Sequence, residues 1–249
     1  GHLFPAFALA EVLAERGIAT KLFTDPRGAD YGQEFDFVER TIIPSMGLFR
    51  TSKLQQVKGL ASMARGYMKA RSLLAKTQPA AVVGFGGYAS APTVLAAQHK
   101  GIPTLMHEQN SVFGRANRFL SKNARQICTS FPNTLGLDGF ASEKITLVGN
   151  PVRKTVLGLP AYSAPKAGEP FRIFVYGGSQ GARALSDMLP AALEQIAPDL
   201  RARVELTQQA RPEDLERLRA RYQALGLQAE LQPFFSNMPD LYAGAHLVI

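Results

Sequence analysis

The stretch FRIFVYGGSQGARAL, residues 171–185, joins an apolar strand to a helix through a glycine-rich turn. Residues 171–176 are apolar except for Arg172, which is typical of a strand buried in a parallel sheet. Glycines at 177, 178 and 181 allow a tight turn and a close approach of a ligand to the backbone. This order of strand, turn and helix predicts one βα unit of a doubly wound α/β fold.

Strands and helices continue to alternate after this stretch. We predict a helix over 182–196 and then, in order, a strand over 202–207, a helix over 212–225 and strands over 229–234 and 245–249. The last apolar run would leave an open sheet edge, so we expect much of this domain to lie beyond residue 249.

The same alternation fills residues 1–149. We predict helices over 5–17, 51–77 (with a possible break at Gly59 or Gly66), 91–99 and 115–122, and strands over 18–23, 38–43, 80–86, 102–108, 126–130 and 144–149. Because this half opens on a helix, we expect a first strand and a glycine-rich turn to precede Gly1.

Residues 150–170 interrupt the alternation. They contain four prolines, and their apolar residues follow no sustained period, which indicates a linker. We therefore predict a Rossmann-like domain over 1–152, a linker over 153–170 and a partial second Rossmann-like domain over 171–249.

Composition narrows the class of protein. The chain has 249 residues, 46% of them hydrophobic, and its single cysteine, Cys128, excludes an internal disulfide and suits a reducing compartment. The longest uncharged run, 77–99, contains two prolines and three glycines, so it predicts a strand, a loop and a helix rather than a membrane span.

The net charge of +8 is localised. No Asp or Glu lies between Thr41 and His107, and the cations of that stretch are Arg50, Lys53, Lys58, Arg65, Lys69, Arg71, Lys76 and Lys100. Such a surface attracts phosphate-rich partners, namely nucleic acid, anionic lipid or a polyphosphate ligand. The alternative is a solvated helix face without a partner.

Three polar or glycine-rich segments follow predicted strands. Residues 177–181 offer backbone N–H groups and the Ser179 hydroxyl to a phosphate, although neither the full G-x-G-x-x-G spacing nor a Walker lysine is present. GFGGYASAP (84–92) and HEQN (107–110) follow neighbouring strands, at the edge where open α/β sheets bind ligands. Arg153, at the domain junction, is placed to contact a diphosphate.

Six segments, taken together and in order, resemble the MurG family, the bacterial peptidoglycan N-acetylglucosaminyltransferases of glycosyltransferase family 28. They are GHLFPAFALAEVL (1–13), GFGGYASAP (84–92), HEQN (107–110), VGNPVR (148–153), GGSQGARALS (177–186) and FFSNMPDLYAGAHLVI (234–249). The resemblance implies a GT-B fold, in which two Rossmann-like doubly wound parallel-sheet domains face a cleft. Gly1 and His2 would end the family's Gly-Thr-Gly-Gly-His loop, and the family extends past residue 249.

The resemblance implies inverting transfer of N-acetylglucosamine from UDP-N-acetylglucosamine to the C4 hydroxyl of the muramyl sugar of lipid I, the undecaprenyl-diphosphate-linked muramyl pentapeptide, to give lipid II. Tyr88 would lie near the acceptor, and Gly1 would face the reacting centre as part of the UDP-N-acetylglucosamine site. The other donor-site residues that the resemblance implies are Asn110, Arg153, Gly178, Ser179, Gln180, Gly181 and Phe235.

Inversion needs a base for the attacking hydroxyl and charge stabilisation on the departing UDP. We predict His2 as the base, since imidazole titrates near neutral pH, with Glu108 as the second candidate. The alternative for His2 is a purely structural role at the start of the helix. No Asp-x-Asp pair is present to hold a metal against the diphosphate. We therefore expect no cofactor and no metal.

The resemblance also gives the basic stretch a role. Apolar residues alternate with cations along the predicted helix over 51–77, which is typical of a helix lying on an anionic membrane surface. We expect a peripheral protein on the cytoplasmic face of the bacterial inner membrane, with no nucleic-acid partner.

The sequence is also compatible with other functions. They are a nicotinamide-dependent oxidoreductase, a UDP-sugar epimerase of the same architecture, and a non-catalytic membrane-docking fragment. We expect little activity from these 249 residues alone.

Overall fold

The computed structural model describes residues 2–26, 37–46, 53–178 and 183–249, with the side chains of residues 53 and 54 outside the description. The chain forms two compact units, Gly1–Arg153 (the N-terminal unit) and Lys154–Ile249 (the C-terminal unit).

The N-terminal unit alternates helices and parallel strands. In chain order its elements are α1 (Leu3–Glu15), β1 (Lys21–Thr24), β2 (Glu39–Ile42), α2 (Lys53–Thr77), β3 (Val82–Gly84), α3 (Gly87–His99), β4 (Thr104–Glu108), α4 (Arg115–Ser121), β5 (Gln126–Thr129) and β6 (Ile145–Leu147). Strands β1 and β2 pair in parallel, and a second parallel sheet has the order β3-β4-β5-β6.

The C-terminal unit has the same architecture. Its elements are α5 (Lys154–Leu157), β7 (Phe171–Val175), α6 (Arg183–Glu194), α7 (Pro198–Arg201), β8 (Val204–Gln209), α8 (Leu215–Ala224), β9 (Gln228–Gln232), α9 (Met238–Gly244) and β10 (Leu247–Val248). The strands form one parallel sheet in the order β10-β7-β8-β9. The predicted α/β class with parallel sheets is confirmed in both units.

Apolar residues of the strands and helices form the core of the C-terminal unit. Ile173 and Val175 on β7 pack with Leu193 on α6 and with Leu218 and Tyr222 on α8, all of them buried. The alternation of apolar strands with amphipathic helices therefore predicts this core correctly.

Helix α2 is continuous, so the predicted break at Gly59 or Gly66 is wrong. A Cβ atom at Gly66 would lie 2.0 Å from the carbonyl oxygen of Pro44 and 3.2 Å from Cγ2 of Ile43. Gly66 is thus a contact point at which the helix backbone approaches the segment after β2, rather than a helix breaker.

Helix α3 begins at Gly87, four residues before the predicted start at Ala91. Its N-cap residue, Gly86, has φ of +89° and Gly87 has φ of +70°, a region that favours glycine. The two glycines therefore turn the chain directly from β3 into the helix.

Candidate active site

Parallel pairing brings two of the predicted segments to one edge of the N-terminal sheet. Strands β3 and β4 pair with Gly84 opposite Met106, so the turn after β3 and the HEQN segment after β4 lie side by side. The entrance of α1 approaches the same turn, because a Cβ atom at Gly87 would lie 3.4 Å from Cδ2 of His2.

Three side chains form a hydrogen-bonded row at this edge. Nδ1 of His2 lies 2.7 Å from Oε1 of Gln109, and Nε2 of Gln109 lies 2.8 Å from Nδ1 of His107. Nε2 of His107 lies 3.0 Å from the carbonyl oxygen of Gly149. The row runs from the first turn of α1 to the VGNPVR segment, and Gln109, which sequence analysis did not single out as a site residue, is its central member.

His107 is the buried end of this row, with 3% of its surface exposed. Burial lowers the pKa of His107, and the hydrogen bond to Gly149 and the charge of Glu108 only partly oppose that shift. The imidazole is therefore neutral at neutral pH, with one N–H donor and one acceptor nitrogen.

Glu108 is a buried carboxylate with a full set of hydrogen bonds and 1% exposure. Its Oε1 accepts from the backbone N–H (3.0 Å) and the side-chain Nδ2 (2.8 Å) of Asn110. Its Oε2 accepts from the N–H of Gly114 (2.9 Å) and from Nδ2 of Asn117 (2.8 Å). These four bonds hold the turn between β4 and α4, and they occupy the lone pairs that a general base would need.

The other predicted residues of the N-terminal unit lie around the same edge. Tyr88 follows Gly87 in the first turn of α3 and is 37% exposed. The guanidinium carbon of Arg153 lies 5.0 Å from the ring centroid of Phe4, in the first turn of α1. The N-terminal unit thus brings Arg153 close to the helix entrance that carries His2.

The predicted residues of the C-terminal unit are described in part. Gly178 follows β7 with φ of +77°, and a Cβ atom there would meet no atom of the described residues within 4 Å. Phe235 is 4% exposed and packs edge to face against Phe174, so its side chain belongs to the core. Gly1, Ser179, Gln180 and Gly181 lie outside the described residues.

Family models match both units of the chain. The model for the glycosyltransferase family 28 N-terminal domain matches residues 1–129, and the model for the family 28 C-terminal domain matches residues 172–249.

Curated relatives match along the whole chain. A protein of Paramagnetospirillum magneticum is 45% identical over 251 residues, which cover 100% of this chain and 68% of the relative. One of Rhodopseudomonas palustris is 44% identical and is covered over 67% of its length. Both are named UDP-N-acetylglucosamine–N-acetylmuramyl-(pentapeptide) pyrophosphoryl-undecaprenol N-acetylglucosamine transferase.

Solved structures show the same fold. The crystal structure of MurG from Acinetobacter baumannii matches 100% of this chain and 67% of its own chain, with a TM-score of 0.64 and 28% identity. UDP-GlcNAc 2-epimerase from Neisseria meningitidis matches 99% of this chain and 73% of its own, with a TM-score of 0.62 but only 12% identity, so that likeness concerns the fold alone. With both domain models matched and relatives 45% identical over its whole length, this chain belongs to glycosyltransferase family 28.

Proposed function

We propose that this chain transfers N-acetylglucosamine from UDP-N-acetylglucosamine to the C4 hydroxyl of the muramyl sugar of undecaprenyl-diphosphate-linked muramyl pentapeptide, with inversion at the anomeric carbon. The observation that carries the proposal is the 44–45% identity, over the entire chain, to curated relatives named for this transfer. The epimerase alternative rests on structures 12–14% identical, which support only a common fold.

His2 is the general base in this proposal. Its Nδ1 is bound to Gln109, and its Nε2 makes no hydrogen bond to the residues that the structure describes. Glu108, the other candidate, is buried and already accepts four hydrogen bonds. A positioned general base contributes about 10²- to 10⁴-fold to a proton transfer of this kind.

The donor diphosphate binds at the glycine turn after β7, where α6 begins. Backbone N–H groups at the start of a helix, together with the helix dipole, favour a phosphate, and no described residue fills the space beside Gly178. From the family resemblance we also propose that Ser179, Gln180, Gly181, Gly1, Asn110, Arg153 and the backbone of Phe235 contribute to donor binding.

Transfer of radiolabelled N-acetylglucosamine to a lipid I analogue tests the activity and the base together. In the full-length gene product, His2→Ala is expected to lower turnover by at least about 100-fold, and His246→Ala, just before β10 in the C-terminal unit, to leave it nearly unchanged. Near-normal turnover by His2→Ala would eliminate His2 as the base. Release of an epimerised UDP-sugar without acceptor would instead favour an epimerase.

The acceptor carries a lipid, and α2 supplies the surface that meets the membrane. Three apolar side chains on one side of α2 are strongly exposed: Val57 (63%), Leu60 (58%) and Met68 (64%). Beside them runs a row of exposed cations at spacings of seven, four and seven residues: Lys58, Arg65, Lys69 and Lys76. This arrangement suits a helix that lies in an anionic membrane interface.

The opposite face of α2 belongs to the core. Ala70 and Leu74 are buried with Ile43, Ala96 and Ala97, and Leu73 packs against the same cluster. Leu73 is therefore not part of the membrane-facing side. Among the described helices, α2 included, none has the length and hydropathy needed to cross a bilayer. We accordingly propose peripheral binding at the cytoplasmic face of the inner membrane.

Sedimentation with phosphatidylglycerol vesicles tests this surface. Combining V57S, L60S and M68S is expected to weaken binding by at least about 100-fold, since each buried side chain contributes roughly 1–2 kcal/mol. The matched control combines V112S, L135S and L157S, at positions 57–70% exposed elsewhere on the chain, and should bind like the parent. Equal binding to neutral and anionic vesicles would contradict the proposed surface.

A further inference from the structure

The side chain of Gln109 has one donating end and one accepting end, and each end contacts a different histidine. Its Oε1 lies 2.7 Å from Nδ1 of His2, and its Nε2 lies 2.8 Å from Nδ1 of His107. An amide oxygen can only accept and an amide NH₂ can only donate. The orientation of this one amide therefore decides which nitrogen of each imidazole carries a proton.

The orientation follows from two backbone carbonyls. Nε2 of His107 lies 3.0 Å from the carbonyl oxygen of Gly149, which can only accept, so Nε2 carries the proton. In the neutral ring Nδ1 is then an acceptor, which requires the NH₂ end of Gln109. The same NH₂ group lies 3.1 Å from the carbonyl oxygen of His107, a second acceptor, and this contact agrees with the assignment.

The oxygen of Gln109 must then face His2. Nδ1 of His2 donates to that oxygen, so in the neutral imidazole the lone pair lies on Nε2. Nε2 is on the side of the ring near Gly87, because a Cβ atom at that glycine would lie 3.8 Å from it. The row of hydrogen bonds thus leaves Nε2 of His2, which lies near the turn at the start of α3, available as a proton acceptor.

We propose that Gln109 is a positioning residue that holds His2 in its Nδ1–H tautomer and so presents the Nε2 lone pair as the proton acceptor. The catalytic meaning of this tautomer rests on the proposed role of His2 as base, but the tautomer itself does not. The anchor of the row is the backbone of Gly149, in the segment of the N-terminal unit that ends at Arg153.

Long-range ¹H–¹⁵N correlation of imidazole nitrogens tests the proposal directly. The chain has four histidines, so His→Gln substitution of each one identifies its signals. Spectra recorded at about pH 8.5, two units above the ordinary histidine pKa of about 6.5, report neutral rings. We expect the Nδ1–H pattern for His2 and the Nε2–H pattern for His107. An Nε2–H pattern for His2 in the parent chain would overturn the proposal.

Two substitutions of Gln109 separate positioning from a general structural role. Q109L removes both bonds, so His2 should move toward the Nε2–H form that free histidine favours. Q109E keeps the size and presents an acceptor to each histidine, so His2 should retain Nδ1–H while His107 changes to Nδ1–H and releases Gly149. An unchanged His2 tautomer in Q109L would refute the proposal, and if Q109L does not fold, the His107 tautomer in Q109E decides.

Controls and kinetics complete the experiment. Q126L removes a comparable amide, which bonds Thr146, and should leave His2 unchanged, while the His246 signals report whether the C-terminal unit is folded. In the full-length gene product, Q109L should lower kcat by about tenfold, the upper range for one hydrogen bond, with little change in the KM for UDP-N-acetylglucosamine. Normal turnover by His2→Ala would remove His2 as base while the tautomer assignment stood.

Discussion

Replacing Glu108 by glutamine distinguishes a structural carboxylate from a catalytic base. The carboxylate accepts two hydrogen bonds on each oxygen, from Asn110 on one side and from Gly114 and Asn117 on the other. In E108Q one oxygen becomes an NH₂ group that faces two donors, so two of the four bonds are lost and like groups are brought together.

The magnitude follows from the number of bonds lost. A hydrogen bond to a charged group contributes about 1.5–3 kcal/mol, so two lost bonds lower the free energy of unfolding by at least about 3 kcal/mol. For a domain of 150–250 residues, 1 kcal/mol corresponds to about 2–4 °C in Tm. We therefore expect the transition of the N-terminal unit to fall by about 6–12 °C.

Differential scanning calorimetry is the suitable assay because the chain contains no tryptophan. The matched control is Glu143→Gln, the same change at an exposed position, which should shift Tm by less than about 2 °C. An E108Q protein that melts with the parent but has lost turnover by 100-fold or more would refute the structural role and restore Glu108 as a candidate base.

Two further stability predictions concern other contacts. Gly66→Ala places a methyl group 2.0 Å from a backbone carbonyl oxygen and should cost about 2 kcal/mol, or about 4–8 °C in Tm. The control, Gly244→Ala, lies in a helix where no described atom is within 4 Å of the added methyl group, and it should be neutral. Equal Tm values for the two variants would contradict the close approach of α2. Arg211 and Arg217 hold the pKa of Asp214 below its ordinary value, so the stability that this carboxylate adds is complete above about pH 4 and is lost as the pH falls through its folded-state pKa. D214N should therefore lower Tm at pH 7 and flatten the Tm–pH curve below about pH 4. Parallel curves for the parent and D214N would count against the ion pairs.

The fold class and the location of the site follow from local patterns. Apolar runs such as 80–86 and 173–176, separated by helical segments, determine parallel strands because a helix must return the chain to the same end of the sheet. Once the strands are parallel, residues that follow neighbouring strands share one edge. The position of HEQN beside the glycine turn after β3 therefore follows from strand order alone.

The element boundaries and the role of Gly66 could not be obtained in this way. Glycine lowers helix propensity, which predicts a break, whereas tertiary packing against Pro44 uses the missing side chain and keeps α2 continuous. Propensity describes the isolated segment, and the contact that overrides it comes from a residue 22 positions away in the chain.

By itself, the sequence of this protein determined two parallel α/β units, a basic amphipathic helix and the set of polar residues at the sheet edge, because these depend on periodicity and strand order. Only the tertiary structure decided what those polar residues do: Glu108 holds a turn, and Gln109 joins His2 to His107. His2 and Gln109 are 107 positions apart, and His107 and Gly149 are 42 apart. Donor and acceptor pairing across such separations depends on how helices and strands pack, and no local pattern in the chain encodes it.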